Sequence, residues 1–220
     1  MIRTTAFVHL LPDAAPVAVD RLLDAVRGAG DELDAVMTDA APTTPNSQRA
    51  GNVMLLGAFA DRDAYDRARR HRYLEMVVRP LVQQCAAHVE AVQYVQGPVT
   101  VREPDLRDGV HRTLLVRVEP TVDPALVQQF ESDVANMTQY VDAIRNSSLS
   151  RVDGARGPVW THVWEQEFAD LEGLTGPYMM HGYHWSFVDT WFDRQSPRQI
   201  VDPVLIHAAC GLRHSVLCRA

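Results

Sequence analysis

Two halves of the chain follow one plan, and this internal repeat limits the folds open to the sequence more than any other feature. The first half opens with Thr4-Thr5-Ala6-Phe7-Val8-His9-Leu10-Leu11-Pro12, the second with Arg112-Thr113-Leu114-Leu115-Val116-Arg117-Val118-Glu119-Pro120. Each is a β-branched, apolar run stopped by proline, which lacks the N–H a strand ladder needs, so each reads as a strand. A helix start follows in both halves, Asp13 with Pro16 and Asp123 with Pro124. Apolar residues then recur at helical spacing: Val19, Leu22, Leu23 and Val26 in one half, Val127, Phe130, Val134 and Met137 in the other. Each helix therefore buries one stripe.

Second strands are expected around Leu33–Thr38 and Tyr140–Arg145, leading to Asn46-Ser47 and Asn146-Ser147. Third strands follow within Gly51–Asp61 and Trp160–Asp170, both ending in an identical Phe-Ala-Asp. A helix then opens on Tyr65 in one half and Tyr178 in the other. Fourth strands are expected at His88–Val95 and near Ile200–Leu205. The order β-α-β-β-α-β is the ferredoxin-like split unit, an α+β fold with both helices on one sheet face. The other face needs a cover. Two units, residues 1–98 and 110–220, can cover each other within one chain as an intramolecular dimeric α/β-barrel, sheet against sheet. The Gly97-Pro98, Pro104-Asp105 and Asp108-Gly109 steps give the stretch between them linker composition. The tail from Ile200 onward exceeds what the unit requires and either adds a strand at the barrel edge or caps the pocket, and further pairing of two fused chains is compatible with the layout.

Composition removes several function classes. No run approaches 18 uninterrupted apolar residues, which excludes a membrane-spanning helix. A net charge of −7 and a single short basic knot, Arg69-Arg70-His71-Arg72, argue against a nucleic-acid partner. The three cysteines form no Cys-x-x-Cys pair, which suits free thiols in a reducing compartment, so a cytoplasmic location is expected. The early apolar run ends in Pro12-Asp13, which argues against a secretory leader.

Chemistry concentrates in the second half, at Tyr178-Met-Met-His181-Gly-Tyr-His184-Trp185. On a helix Tyr178, His181 and His184 form a drifting stripe that Val188 and Trp191 continue. On the preceding strand His162, Trp164 and Gln166 share a face by the two-residue period. If the two faces meet, they line a pocket for a small organic molecule, with Arg112 at its edge. Arg112 there either pairs with a substrate carboxylate or stands exposed at the strand start. A neutral histidine can take a proton from an activated carbon or phenol, and a tyrosine hydroxyl can donate to a developing enolate oxygen. A plainer reading competes: Tyr and His on an inward helix face also serve as hydrogen-bonded core residues. No nucleotide-binding glycine loop is present, and no cofactor is expected. His181-x-x-His184 with His207-Ala-Ala-Cys210 offers four ligand types for zinc, but histidines three apart chelate more loosely than histidines four apart, so no metal is expected. The first half keeps Tyr65 and His71 at the same six-residue separation, with Ala68 between them. Val53, Leu55 and Gly57 stand there in place of His162, Trp164 and Gln166. Tyr65 and His71 are thus expected to line a poorer pocket, with the working site in the second half.

The second half resembles the stress-responsive dimeric α/β-barrel (Dabb) family, and its olivetolic-acid-cyclase-type members in particular. The motifs that carry this are the opening strand ending in proline, Thr161-His162-Val163-Trp164-Glu165-Gln166-Glu167-Phe168, and Tyr178-x-x-His181-x-x-His184. The resemblance implies pairing of two sheets, here within one chain. It also implies cofactor-independent acid–base chemistry, a cyclase, lyase or isomerase acting on a small aromatic or polyketide-like carbonyl compound. The position matching His184 is then the general base, with Tyr178 supporting it and His181 beside them. Non-catalytic, stress-associated ligand binding is the alternative the family also implies. Two departures stand out: Gly182 replaces a proline, and Thr4 and Arg112 occupy the place of a first-strand histidine.

Overall fold

The computed structural model describes residues 1–152 and 160–219. In the first half β1 (Ile2–Leu10) lies between β3 (Val53–Phe59) and β4 (Ala86–Val95), with β2 (Met37–Pro42) outside β3. In the second, β6 (Val110–Val116) lies between β8 (His162–Phe168) and β9 (Ile206–Gly211), with β7 (Ile144–Arg151) outside β8. All these pairings are antiparallel, so the ferredoxin-like unit occurs twice, as the repeat requires. Among the described residues no helix is long and apolar enough to cross a membrane.

Helices cover one face of each sheet. Helix α1 (Pro16–Arg27) buries Ala18, Leu22, Leu23 and Val26, the predicted stripe with Ala18 in place of Val19. Helix α5 (Pro124–Tyr140) buries Phe130, Val134 and Met137. Their starts differ: Asp123 accepts from the Ala125 N–H at 2.8 Å, whereas Ala15 precedes α1 and no side chain caps it. The shared Phe-Ala-Asp ends in a helix cap in both halves. Asp61 accepts from Ala64 N–H at 2.8 Å ahead of α3 (Arg62–Ala68), and Asp170 from Gly173 N–H at 2.7 Å ahead of the one-turn α6 (Leu171–Gly173).

Three predicted strands sit elsewhere, each for a local reason. Leu33 ends the short helix α2 (Ala29–Leu33), closed by Asp34 at φ 51°, so β2 begins four residues after Leu33. Tyr140 still belongs to α5, which pushes β7 to Ile144, and Asn146-Ser147 lies inside that strand while Asn46-Ser47 lies in a loop. The fourth strand of the second half is Ile206–Gly211 rather than the stretch near Ile200–Leu205, where Pro203 has no N–H to pair. The tail thus supplies an edge strand, and that strand is the fourth of the unit. The linker also carries structure: β5 (Val99–Val101) pairs with β7 and lengthens the second sheet to five strands.

The helix-free faces meet. Phe7, Met54, Val92 and Tyr94 pack in one core with Leu115, Val163, Ile206 and Ala208. Buried charge is threaded through this layer. Arg3 reaches Glu165 at 3.3 Å and donates to the Val216 carbonyl at 2.8 Å. Glu167 accepts from the Val216 and Leu217 N–H groups at 2.7 and 3.1 Å and from Ser215 Oγ at 2.7 Å. The segment after β9 is therefore pinned between the two sheets. One edge is closed by the loop after β2: Gln48 and His207 exchange backbone hydrogen bonds at 2.7 and 3.0 Å, and Thr44 N–H donates to Ala209 O at 2.7 Å.

Candidate active site

The second helical segment of the second half is not one helix. The chain runs as two π turns, Leu174–Tyr178, which contains Pro177, and His184–Val188, separated by a break at Met179–His181. The first half breaks in the same way at Arg69–His71, ahead of its own π turn Leu74–Val78. On a continuous α-helix Tyr178 and His184 would stand about 9 Å apart along the axis and about 120° apart around it. Here their rings meet edge to face at 4.9 Å, and both side chains are buried.

Beneath them β6 and β8 present Arg112 and Gln166 as a cross-strand pair, with Trp164 two residues earlier on the same face. Arg112 is 4% exposed. Its guanidinium lies 4.9 Å from the Trp164 ring centre and 5.0 Å from that of Tyr178. Nη1 donates to Gln166 Oε1, and Nε donates to His207 Nε2 at 2.9 Å. A guanidinium has only donors, so Gln166 must turn its oxygen, and His207 its unprotonated Nε2, toward Arg112. The Gln166 amide nitrogen is left without a partner, as are the Tyr178 hydroxyl, the Trp164 indole N–H and His184 Nδ1. Arg112 and Gln166 lie beside the Tyr178 hydroxyl without completing a hydrogen bond to it.

Burial sets the protonation states. It pushes the Tyr178 hydroxyl up to about 12, partly offset by Arg112. Burial, then the charge of Arg112, pulls His184 down to about 4 and His207 to about 3. Both imidazoles are therefore neutral at physiological pH. Asp189 Oδ1 is 3.6 Å from His184 Nδ1, outside hydrogen-bonding distance, and its carboxyl is raised by burial and by Asp193. The arrangement sets a neutral base, an unpaired hydroxyl donor and a fixed cation side by side.

The depressed histidines also predict how the fold responds to acid. The unfolded chain takes up protons near the ordinary value of about 6.5, while the folded chain holds out to lower pH. The unfolded state then binds more protons, so stability falls as pH drops below about 6.5, by up to about 1.4 kcal/mol per pH unit for each histidine. Urea midpoints measured from pH 7 to 4 check this: a His184→Gln, His207→Gln chain should show a shallower decline than the parent.

The other predicted residues have partners of their own, Val188 and Trp191 in the same buried core as Trp164 and Tyr178. His162 is at the far end of β8, where Nε2 meets Glu131 at 3.1 Å and the ring packs on Phe130. Val188 and Trp191 belong to the core under α5, with the indole N–H on Asp133 at 3.0 Å and Arg198 4.1 Å over its ring. His181 stands half-buried at the break, its Nδ1 accepting from Tyr183 N–H at 3.1 Å. His71 accepts from Tyr73 N–H at 3.3 Å in the same way. The Tyr73 and Tyr183 hydroxyls likewise both donate to helix carbonyls, those of Ala25 and Asp133. His71 is therefore the counterpart of His181, not of His184. Tyr65 packs on Phe59 instead, and Ala68 and Leu74 hold the places of Tyr178 and His184. With Thr4, Leu55 and Gly57 in place of Arg112, Trp164 and Gln166, the first half keeps none of the five.

Sequence reasoning missed Asp189 and the role of His207. On β9 Ile206, Ala208 and Cys210 face the other sheet, so His207 and Cys210 point to opposite sides and cannot share a metal. That alternation of apolar residues around His207 was the available signal. Among the described residues no group of three or more His, Cys, Asp or Glu is placed to hold a metal ion. His207 also lies on the wall of a cleft of about 540 Å³, between Leu174, Thr175 and Met179 and the loop from Thr44 to Gln48.

No curated protein matches the chain. Among solved structures it is similar to a candidate monooxygenase from Lactobacillus acidophilus, with TM-score 0.62 and 7% identity, covering 97% of each chain. It is also similar to a candidate monooxygenase from Fusobacterium nucleatum, with TM-score 0.63 and 9% identity over 96% of this chain and 92% of that one. An anthrone oxidase-like protein has TM-score 0.63 and 10% identity over 97% of this chain and 91% of that one. At such identities these likenesses establish the fold alone. Residues 110–204 match the family model of the stress-responsive A/B barrel domain (Dabb), the segment that supplies every member of the cluster except His207.

Proposed function

We propose that the second half is a cofactor-independent acid–base enzyme, a cyclase, lyase or isomerase acting on a small aromatic or polyketide-like carbonyl compound. One observation carries the reading: a buried histidine held neutral touches a buried tyrosine whose hydroxyl has no partner, beside a fixed guanidinium. His184 would take a proton from the carbon or phenol next to the carbonyl. The Tyr178 hydroxyl would donate to the enolate oxygen as charge develops there, and the charge of Arg112 would hold that oxygen anionic. The first half, residues 1–98, would serve residues 110–220 as a permanent partner, the two being fused copies of one unit. Its site positions carry no acid–base group.

The test is proton exchange. A β-dicarbonyl probe with an acidic C–H should exchange deuterium with solvent faster in the presence of the protein, and the enhancement should vanish in folded Tyr178→Phe and His184→Gln variants. Parental exchange in both variants sinks the reading. Non-catalytic binding of a small ligand is the second reading, favoured by how deeply the cluster is covered. It requires stoichiometric retention of a ligand that is recovered unchanged.

A further inference from the structure

Among the described residues two arginines are buried, and only Arg3 has a carboxylate in contact with it. Arg3 is 1% exposed and pairs with Glu165 at 3.3 Å. Arg112 is 4% exposed and makes no ion pair among the described residues; its hydrogen-bond partners are a neutral imidazole and an amide oxygen, and the Asp189 carboxylate acts on it only from beyond contact distance. A desolvated cation without an anion is a costly arrangement unless something else supplies the charge. The groups packed around it point the same way. The Gln166 amide nitrogen, the Tyr178 hydroxyl and the Trp164 indole N–H, all on side chains at most 2% exposed, are donors left without an acceptor. Buried polar groups are satisfied in nearly all proteins, so a set of orphaned donors around a lone cation describes an acceptor-rich, negatively charged guest.

The guest's route is also on the surface. His207 joins Arg112 to the cleft, since it accepts from Arg112 Nε at 2.9 Å and forms part of the cleft wall. An imidazole lone pair is a weaker acceptor for a guanidinium than a carboxylate, so a carboxylate entering from the cleft can take its place. The cleft offers apolar groups, Leu174, Met179 and Pro45, and polar ones, Thr44, Asn46 and Ser47.

We propose that this site takes an organic carboxylate, whose carboxyl group displaces His207 from Arg112 while its body lies in the cleft between the loop after β2 and the first π turn. The proposal deepens the acid–base reading and rests on it only in placing the substrate at this cluster. A carboxylate seated on Arg112 puts an oxygen function on the β carbon, two bonds from the carboxyl carbon, within reach of Tyr178 and His184. The substrate class is therefore a β-oxo or ortho-hydroxy acid rather than a neutral ketone. The first half would shape specificity, because Thr44, Pro45, Asn46 and Ser47 form one side of the entrance.

Isothermal titration with salicylate and its neutral isostere salicylamide tests this without any variant. Salicylate is expected to bind, and salicylamide about 10–100-fold more weakly, the range of one or two charge-assisted hydrogen bonds. His184→Gln should keep that preference, and Arg112→Met should bring the two affinities together. Equal affinities in the parent protein, no salicylate binding at millimolar concentration, or a preference that survives Arg112→Met would each overturn the proposal. The outcomes separate from those of the exchange assay. A charge preference with exchange unaffected by His184→Gln refutes the acid–base reading alone, and normal exchange without the preference refutes only the carboxylate.

Discussion

Arg3→Met is expected to lower the unfolding free energy by about 3–5 kcal/mol, the cost of removing one partner from a buried ion pair. Arg3 and Glu165 are 1% and 0% exposed and face each other across the layer between the sheets. Methionine fills much of the arginine volume, so the loss comes mainly from leaving the Glu165 carboxylate in an apolar layer without its cation. The double variant Arg3→Met, Glu165→Gln should recover a large part of it, because the stranded charge is gone, and a double-mutant cycle isolates that coupling. Urea unfolding at pH 7 gives the measurement: the midpoint should fall with an unchanged slope. No recovery in the double variant would mean that lost packing, not stranded charge, is responsible. The pH dependence follows from the carboxylate. Burial alone would raise the pKa of Glu165, but Arg3 and then His111 more than offset it and hold it below the usual range. The pair's contribution is therefore present in full above the ordinary glutamate value of about 4.3 and is lost as pH falls through the depressed one.

Under the proposed acid–base reading, His184→Gln is expected to reduce kcat/KM for a carbonyl substrate by about 10²–10⁴-fold, the usual contribution of a positioned general base. Glutamine keeps the polar bulk against Tyr178 but cannot take a proton. The pH profile adds a readout that misfolding would not imitate. Because His184 is held at about 4, the acid limb of that proposed activity should fall near pH 4 in the parent protein rather than near 6.5. The sign is fixed by the neutral form being the active one: activity is full above the limb and lost as pH drops through it. Tyr178→Phe should cost about 10²–10³-fold, as loss of one oxyanion donor does, and should leave the acid limb in place. A limb near 6.5 would show that the base is not the buried His184.

The repeat was legible because strands, turns and helix stripes are local patterns. The period-2 runs, the prolines and the shared Phe-Ala-Asp are all visible within a few residues, and the last proved to be the same helix cap twice. Boundaries that depend on a single cap were not visible. Asp34 adopts a left-handed conformation that ends α2 and delays β2, and nothing nearby in the sequence announces it. The correspondence between halves also slipped by three residues in the second helical segment. Tyr65 and His71 reproduce the six-residue spacing of Tyr178 and His184, while the hydrogen-bond pattern pairs His71 with His181.

What the sequence by itself determined is the fold class, the two-fold repetition and the strand face that carries Trp164 and Gln166, because backbone periodicity fixes them. It also drew attention to Tyr178 and His184. Only the tertiary structure decided that these two touch, since a break at Met179–His181 brings together rings that a regular helix would hold apart. It alone buried Arg112 without a counter-ion, joined it to His207 from a strand almost a hundred residues away, and set His162 aside at the far end of β8. Charge balance and proximity of this kind are properties of groups that meet across elements. No window of the chain contains them.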